Sequence, residues 1–328
     1  MFPVERALLI INRAAGTGQR QSVADELALL FKQGLAELSL VRVELVSDHA
    51  ATRACAVEFL SESDVPALIV AGGGGGTLRA VIEGICDSPG SVERVQVGAL
   101  RMGSGNVLAK QFGVPRDPVF ALQGLLTNLK AGRTTPCCVM RCETWTSSGK
   151  SEIHHAVTLG GLGQFGRIPS DLARWHARFP FLHESAARAF GIEKLTNIEY
   201  ALAFLIRSIS CMLFPEKAEF VEIQFRGRTE RLRLLSGVVM NFPIKALPFR
   251  PCVTVEDEAL VTYLVPLALR IRRHRIEKNQ RLEIRLLDRE CVELFLDEDP
   301  LTTHKRLSLE VAGSITFVPG PNHRGVSR

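Results

Sequence analysis

The residues best suited to chemistry form a glycine run, Gly72–Gly76, which Thr77 follows directly. The short apolar run Ala67–Ala71 precedes the glycines, and apolar residues at helical spacing follow them. This order predicts a buried strand, a tight turn and a helix. Glycines let the backbone approach a ligand and adopt positive φ, and the amino end of a helix offers N–H groups to an anion. We therefore predict a phosphate-binding turn. The alternative is a turn that only lets the strand and the helix pack.

Two further glycine-bearing turns follow apolar runs in the same half of the chain. Asn12–Gly18 comes after Ala7–Ile11, and Gly103–Asn106 comes after Val95–Leu100. Each turn leads into a helical pattern, which predicts repeated strand–helix units and a parallel sheet. The three turns then lie at the carboxyl edge of the sheet and form one nucleotide-sized site. The turn at Asn12–Gly18 has the spacing of neither a GxGxxG nor a GxxxxGK[ST] loop.

Composition sets the class of protein. The chain has 328 residues, a formal charge of +5, 46% hydrophobic and 23% charged residues, which predicts a globular protein of two domains. The small positive charge suits an anionic ligand, a membrane surface or an ordinary solvated surface, and no basic arm indicates nucleic acid. No secretory leader or apolar run of about 18 residues is evident. With eight scattered cysteines, these features predict reduced thiols and a cytoplasmic location.

The pattern changes after Thr134, where short alternating runs separated by turn residues predict an antiparallel β domain. A helical insertion is expected at about residues 170–214. We predict a nucleotide-binding α/β domain over residues 1–133 and a β-sandwich domain over residues 134–318. We also consider a return of the last residues, about 319–328, to the first domain.

Several short motifs occur in the order of a known family. They are an NPxxGxG-like loop without its proline at Asn12–Gly18, a GGDGT-like turn at Gly73–Thr77, a GTGND-like turn at Gly103–Ala109, a glycine-rich stretch at Thr158–Gly166, a DG-like pair at Asp257 and a DGE-like turn at Asp297–Pro300. Through them the chain resembles the diacylglycerol kinase catalytic-domain superfamily, which includes bacterial lipid kinases and sphingosine and ceramide kinases. The resemblance runs along most of the chain.

The resemblance implies a fold, a reaction and a set of residues. It implies an α/β domain like that of NAD kinases and phosphofructokinases and a β-sandwich domain, with ATP and a lipid hydroxyl meeting in the cleft between them. It implies Mg²⁺-dependent transfer of the γ-phosphoryl group to a diacylglycerol- or sphingoid-like lipid. The nucleotide-binding positions it implies are Asn12, Gly16, Gly73, Gly74, Gly75, Gly76, Thr77, Gly103, Ser104, Gly105 and Asn106. The catalytic positions are Asp257, Asp297 and Asp299, and the Mg²⁺ ligands are Asp257, Asp297 and Glu298.

The departures from the family pattern remove acidic residues. Gly75 stands in place of the aspartate of GGDGT, Ala80 in place of a frequent glutamate and Val107 in place of the aspartate of GTGND. Glycines for a phosphate cradle remain, so nucleotide binding is better supported than catalysis. Two interpretations stay open. The chain is an active lipid kinase, or it is a nucleotide- and lipid-binding protein without transfer, in which Arg79 pairs with the phosphates. The plain alternative for Arg79 is a solvated helix residue.

The helical insertion mixes basic and apolar residues between Arg174 and Phe214. We expect most of it to pack on the β domain, while part of it could lie in a membrane interface, as peripheral membrane contact by a lipid kinase would require. A third candidate is an NAD kinase-like enzyme, which ranks lower because the Asn-Glu pair of that family is not found. No GxSxG or HExxH motif indicates a hydrolase. The lipid, the nucleotide and the oligomeric state stay open.

Overall fold

The structure is a computed structural model of the chain. It describes residues 3–15, 21–103, 106–181, 185, 192–244, 253–254, 257–297 and 299–323. The chain divides into two compact units, one of residues 1–137 with 314–328 and one of residues 138–313.

Unit 1 is a parallel sheet covered by helices on both faces. Its strands are β1 (Arg6–Asn12), β2 (Leu40–Val46), β3 (Ala67–Gly73) and β4 (Val95–Arg101). Its helices are α1 (Gln21–Gly34), α2 (His49–Ser61), α3 (Gly75–Asp87), α4 (Ser91–Arg94), α5 (Val107–Gln111) and α6 (Pro118–Lys130). Helix α1 packs with α6, and α2 packs with α3. Almost every residue of β1 and β3 is buried, as expected for strands covered on both faces.

The strand order creates a reversal next to the glycine run. Strand β1 pairs in parallel with β2 on one side and β3 on the other, and β4 follows β3. The chain therefore moves outward from β1 in one direction and then returns to extend the sheet in the other. Ligands of open α/β sheets bind at such a reversal, outside the carboxyl ends of the strands. Here those ends are Asn12 and Gly73.

The end of the chain completes the sheet of unit 1. Thr316 and Phe317 pair in parallel with β4. The Phe317 ring stacks on Phe112 at 4.1 Å between centroids, and Asn128 Nδ2 donates to the carbonyl oxygens of Pro319 and Gly320 at 2.9 and 3.1 Å. Buried amide–carbonyl bonds of this kind hold the segment in place.

Unit 2 is built from antiparallel strands. They are β5 (Thr135–Trp145), which begins in unit 1, β6 (Ser151–Ala156), β7 (Leu159–Leu162), β8 (Glu219–Phe225), β9 (Arg228–Met240), β10 (Ala259–Pro266), β11 (Arg272–Glu277), β12 (Arg281–Leu286), β13 (Cys291–Leu296), β14 (Asp299–His304) and β15 (Arg306–Phe317), which ends in unit 1. The order is β14-β13-β7-β9-β8-β12-β15, with β10 and β11 extending from β9. A parallel α/β sheet followed by antiparallel strands confirms the predicted fold class.

The helices of unit 2 are α7 (Gly163–Gly166), α8 (Ile168–Arg178) and α9 (Ile192–Leu213). Leu172 of α8 and Tyr200, Ala203 and Phe204 of α9 pack on an apolar cluster supplied by β9, β10 and Phe295. A larger apolar cluster contains residues of most strands of unit 2, β9 and β10 included. Along strands such as β12 and β15 its members alternate, as expected where one face is buried. No helix in the described part of the chain is both long and apolar enough to cross a membrane.

Two strands of unit 2 lack the alternating apolar pattern that predicted the β domain. β11 reads Arg-Arg-His-Arg-Ile-Glu and buries only Ile276, so it carries almost no apolar alternation. β14 begins at Asp299 and pairs with β13, where composition predicted a turn. Both are strands because their neighbours supply hydrogen bonds, and pairing of this kind leaves little trace in composition.

Candidate functional site

The glycine run forms the junction between β3 and α3. Gly74 is the N-cap residue of α3, with φ −94° and ψ −169°, and has no side chain to cap the helix. Leu78 N donates to Gly74 O at 3.2 Å, which makes it the first bond of the helix. The amides of Gly75, Gly76 and Thr77 precede that bond and have no acceptor within the helix. By contrast, Asp48 caps α2 and Asp117 caps α6 with carboxylates.

Gly72 and Gly73 serve close approach. None of the residues Gly72–Gly76 has positive φ, so of the two uses of glycine considered for this turn, positive φ does not occur. A Cβ on Gly73 would lie 2.2 Å from Thr77 Oγ1, and a Cβ on Gly72 would lie 3.0 Å from Met102 Sδ. Positions 72 and 73 therefore need glycine because the neighbouring atoms leave no room for a side chain, whereas a Cβ on Gly74 would lie 3.6 Å from Gly103 Cα, an ordinary contact.

Thr77 connects the glycine turn to the end of β1. Asn12 Nδ2 donates to Thr77 Oγ1 at 3.0 Å, and Ala14 N donates to Asn12 Oδ1 at 2.9 Å. Thr77 is buried, at 4% exposure. The two predicted nucleotide residues thus lie together at the reversal in strand order, where they fix the position of the helix terminus relative to β1. Gly16, also predicted here, lies outside the described residues.

The turn after β4 packs backbone to backbone on the turn after β3. Met102 N donates to Gly73 O at 3.0 Å. A Cβ on Gly103 would lie 2.5 Å from Gly74 Cα and 3.1 Å from Gly74 N. Asn106, with φ 50°, is the N-cap residue of α5, and its Nδ2 donates to Gly103 O. The structure therefore brings Gly73, Gly74 and Gly103 together, while Ser104 and Gly105 lie outside the described residues.

This arrangement can bind an anion. The amino end of α3 directs backbone N–H groups and the positive end of its dipole out of the carboxyl edge of the sheet. The glycines keep side chains out of this space, so an approaching phosphate meets amides directly.

Arg79 lies inside unit 1, two residues beyond Thr77. Its side chain is 4% exposed, so the alternative of a solvated helix residue is wrong. Its Nε and Nη2 donate to Glu83 Oε1 at 3.1 and 3.0 Å. His49 Nε2 of α2 lies 2.7 Å from Glu83 Oε2. Burial by itself raises the pKa of the Glu83 carboxyl, but the His49 hydrogen bond and the Arg79 charge outweigh it and lower the pKa to about 2. Glu83 is therefore ionised and binds α3 to α2.

Sequence analysis did not single out Glu83 or His49. The i, i+4 spacing of Arg79 and Glu83 was a usable signal, because residues so spaced meet on one face of a helix. His49 lies 34 positions away from Glu83 along the chain, so no local pattern could have joined them.

Asp297, predicted as a base and metal ligand, is buried at 4% exposure. Its Oδ2 accepts from Val157 N at 2.8 Å, and its Oδ1 accepts from the amides of Thr158 and Leu159 at 2.9 and 3.1 Å. The Thr158 hydroxyl also donates to Oδ1. The residue has φ 48° and follows β13. Its carboxylate joins the β13–β14 hairpin to the segment before β7, which is a structural role.

Asp257 and Asp299 lie elsewhere in unit 2 and are half-buried. Asp257 Oδ2 accepts from Thr254 N at 2.7 Å and from Thr254 Oγ1 at 3.2 Å, which forms a local turn before β10. Asp299 is the first residue of β14. Glu298 lies outside the described residues.

Of the expected Mg²⁺ ligands, Asp297 does not fit an ion. Mg²⁺ takes oxygen ligands with open lone pairs, whereas both Asp297 oxygens accept protein donors. Within the described residues, no three His, Cys, Asp or Glu side chains form a group that could hold a metal. Gly75, at the aspartate position of the family motif, offers no carboxylate.

Comparison with known proteins agrees with this geometry. The family model of the diacylglycerol kinase catalytic domain matches residues 6–141. No protein of curated function matches the chain. A structure of a candidate diacylglycerol kinase from Bacillus anthracis str. Sterne has TM-score 0.65 and 17% identity, covering 98% of this chain and 99% of its own. Another structure from that organism, described as a diacylglycerol kinase, has TM-score 0.61 and 16% identity, covering 98% of this chain and 99% of its own.

A more distant likeness reaches a second type of kinase. Yeast NADH kinase complexed with NADH has TM-score 0.57 and 11% identity, covering 96% of this chain and 84% of its own. At such identities the likeness concerns the fold alone. The family match is more specific, because it covers all three turns of unit 1 and the strands that carry them. Residues 6–141 therefore match the diacylglycerol kinase catalytic domain, as the motifs in this part of the chain indicated.

Proposed function

We propose that this protein transfers the γ-phosphoryl group of ATP to a hydroxyl of a diacylglycerol- or sphingoid-like lipid. The observation that carries the proposal is the uncapped amino end of α3 at the reversal in strand order. There the amides of Gly75, Gly76 and Thr77 precede the first helical bond, within residues that match a lipid-kinase family model.

The proposed role of unit 1 is to hold the phosphates. The amides at the start of α3 bind phosphate oxygens, and the bond from Asn12 to Thr77 keeps that terminus in position. Phosphoryl transfer depends mainly on positioning and on stabilising charge. In the reaction, the lipid oxygen bonds to the γ-phosphorus, the bond to the β,γ-bridging oxygen breaks, and ADP leaves.

The proton of the lipid hydroxyl needs an acceptor. Of the predicted catalytic residues, we keep Asp257 and Asp299 as proposed bases, since their carboxylates are half-buried. We assign Asp297 a structural role because four donors occupy its carboxylate. When bound, Mg²⁺ would neutralise phosphate charge, and Asp297 would not be its ligand because both its oxygens accept protein donors.

A second candidate is a nucleotide- and lipid-binding protein that performs no transfer. Two observations favour it, the glycine at position 75 and the occupied carboxylate of Asp297. Loss of a general base commonly lowers the rate by about 10²–10⁴ without abolishing the reaction, so the first candidate stands ahead. An NAD kinase-like reaction is the remaining alternative, supported by the likeness in fold to yeast NADH kinase.

The test is transfer of label from γ-labelled ATP, with and without Mg²⁺, to diacylglycerol, sphingosine and NAD in separate reactions. The proposal expects label in one lipid and none in NAD. Nucleotide binding without label in any acceptor would favour the second candidate, and label in NAD alone would favour the third. Repeating the assay with labelled GTP identifies the donor nucleotide.

A further inference from the structure

Helix α9 exposes an apolar stripe along its outer face. The stripe consists of Ile198, Leu202, Leu205, Ile206, Ile209 and Leu213, which are 48–69% exposed. Their spacing follows i, i+4, i+7, i+8, i+11 and i+15, so they lie on one side of the helix. At 1.5 Å per residue, the stripe is roughly 22 Å long. Contiguous exposed apolar surface of this kind marks an interaction site more often than scattered residues do.

The stripe is not the face that holds α9 in the fold. Tyr200, Ala203 and Phe204 pack on the sheet, and Cys211 is buried at 1% exposure. At 100° per residue these positions lie on the opposite side of the helix from the stripe. Changes to the stripe are therefore expected to leave the packing of α9 intact.

Helix α8 runs antiparallel to α9 beside this face. Arg207 of α9 donates to Asp171 of α8, and His176 Nε2 of α8 lies 3.2 Å from Glu199 Oε2 of α9. Trp175 and Phe179 of α8 are 41% and 40% exposed. Glu199 and Arg207 lie about 100° and 180° around α9 from Ile198. These contacts therefore place α8, with its exposed aromatic rings, on the flank of α9 between the stripe and the packed face.

Basic side chains accompany the aromatic rings. The Arg178 guanidinium lies 5.5 Å from the Phe179 ring centroid, and Lys217 Nζ lies 4.5 Å from the Phe214 ring centroid. Among the residues of α8, α9 and the turn after α9 whose side-chain burial the structure describes, the exposed ionised side chains are Arg174, Arg178, Lys217 and one acid, Glu216. Aliphatic residues with an aromatic and basic border are typical of segments that lie in a membrane interface.

We propose that the α9 stripe docks on the surface of an anionic phospholipid bilayer, with Arg178 and Lys217 at the headgroup phosphates. The inference rests on the proposed function in one respect, because a kinase that acts on a lipid must reach that lipid at a membrane. A second copy of the chain is the alternative occupant. In a two-fold dimer the same patch meets itself, which would bring the basic borders of two copies together, whereas an anionic bilayer is complementary to them.

The experiment is flotation of the full chain with vesicles of phosphatidylcholine alone or mixed with phosphatidylglycerol. The test variant is Ile206→Glu, at a position 59% exposed on α9, and the matched control is Leu29→Glu, at a position 58% exposed on α1. Ile206→Glu should lower the ratio of bound to free protein about tenfold or more on mixed vesicles, and Leu29→Glu should leave it unchanged. Thermal unfolding of both variants confirms that they fold.

The charge complementarity has its own variant. Arg178→Gln combined with Lys217→Gln should lower binding to mixed vesicles roughly 30-fold, since two cations near an anionic surface are lost. Binding to phosphatidylcholine alone should change little. Equal loss of binding in Ile206→Glu and Leu29→Glu, or no binding of the wild type, would overturn the proposal.

Two further readouts separate the possible failures. Sedimentation velocity without vesicles tests for a dimer, and a dimer that Ile206→Glu dissociates would assign the stripe to a second copy and overturn membrane docking. Phosphoryl transfer to a short-chain diacylglycerol in detergent does not need docking. Transfer there without vesicle binding would refute the docking surface alone, whereas vesicle binding with no transfer would refute the proposed reaction alone.

Discussion

Substituting Gly103 with alanine tests how closely the two glycine turns of unit 1 must approach. The added Cβ would lie 2.5 Å from Gly74 Cα and 3.1 Å from Gly74 N. Carbon atoms in ordinary contact are about 3.5–4.0 Å apart, so the two turns must separate by roughly 1 Å. The atoms that clash belong to the backbone, and no flexible side chain can move aside to relieve the contact.

The expected effect has two parts. Overpacking of this kind costs about 1–3 kcal/mol of unfolding free energy. A displacement of about 1 Å at a positioning element lowers function about 10²-fold, which for nucleotide affinity is about 2.7 kcal/mol. We therefore expect Gly103→Ala to fold with reduced stability and to bind ATP about 100-fold more weakly.

Gly74→Ala is the matched control for the steric argument. Its Cβ would lie 3.6 Å from Gly103 Cα, an ordinary contact, and its φ of −94° suits any residue. Its unfolding free energy should stay within about 1 kcal/mol of the wild type. The measurements are urea unfolding and calorimetric titration with ATP. Wild-type affinity and stability in Gly103→Ala would refute the close approach of the turns.

Three other predictions concern carboxylates. The pKa of the Glu83 carboxyl is held at about 2, against 4.5 ordinarily. The ionised carboxylate therefore stabilises the fold by about 3 kcal/mol above pH 4.5, and this stabilisation is lost as the pH falls to 2. In urea unfolding, Glu83→Gln should remove that pH dependence, whereas the exposed control Glu58→Gln should keep it. Asp297→Asn should lower the unfolding free energy by about 3 kcal/mol, and the exposed control Asp64→Asn should leave it unchanged. Loss of phosphoryl transfer in Asp297→Asn at unchanged stability would instead make Asp297 the base. Gly75→Asp should raise the rate of labelled phosphate transfer about 10-fold or more if a base is what the turn lacks, and an unchanged rate would contradict that reasoning.

The parallel sheet and its turns could be predicted from the sequence because their signals are local. Apolar runs such as Ala67–Ala71 are buried strands, and the glycines after them mark tight turns. The reason for the glycines could not be predicted, since a need for positive φ and a need for space both select glycine. The φ angles of the turn and the close contacts of Gly72, Gly73 and Gly103 distinguish the two.

The roles of the charged residues were harder to predict because their partners are distant in sequence. Asp297 accepts from Val157, 140 positions away, so its turn-like composition gave no sign of a buried structural carboxylate. Arg79 was expected at a phosphate or in solvent, and its buried pairing with Glu83 depends on α2 packing against α3. Long-range contacts of this kind need the fold before they can be recognised.

The central claim is that the amino end of α3 binds the phosphates of a nucleotide. The most direct measurement is a pair of calorimetric titrations of the wild-type protein, one with ATP and one with adenosine, each with and without Mg²⁺. If the cradle binds phosphate, ATP should bind at least about 100-fold more tightly than adenosine, as expected for several charge-assisted hydrogen bonds. Equal affinity for ATP and adenosine, or no binding of ATP, would contradict it.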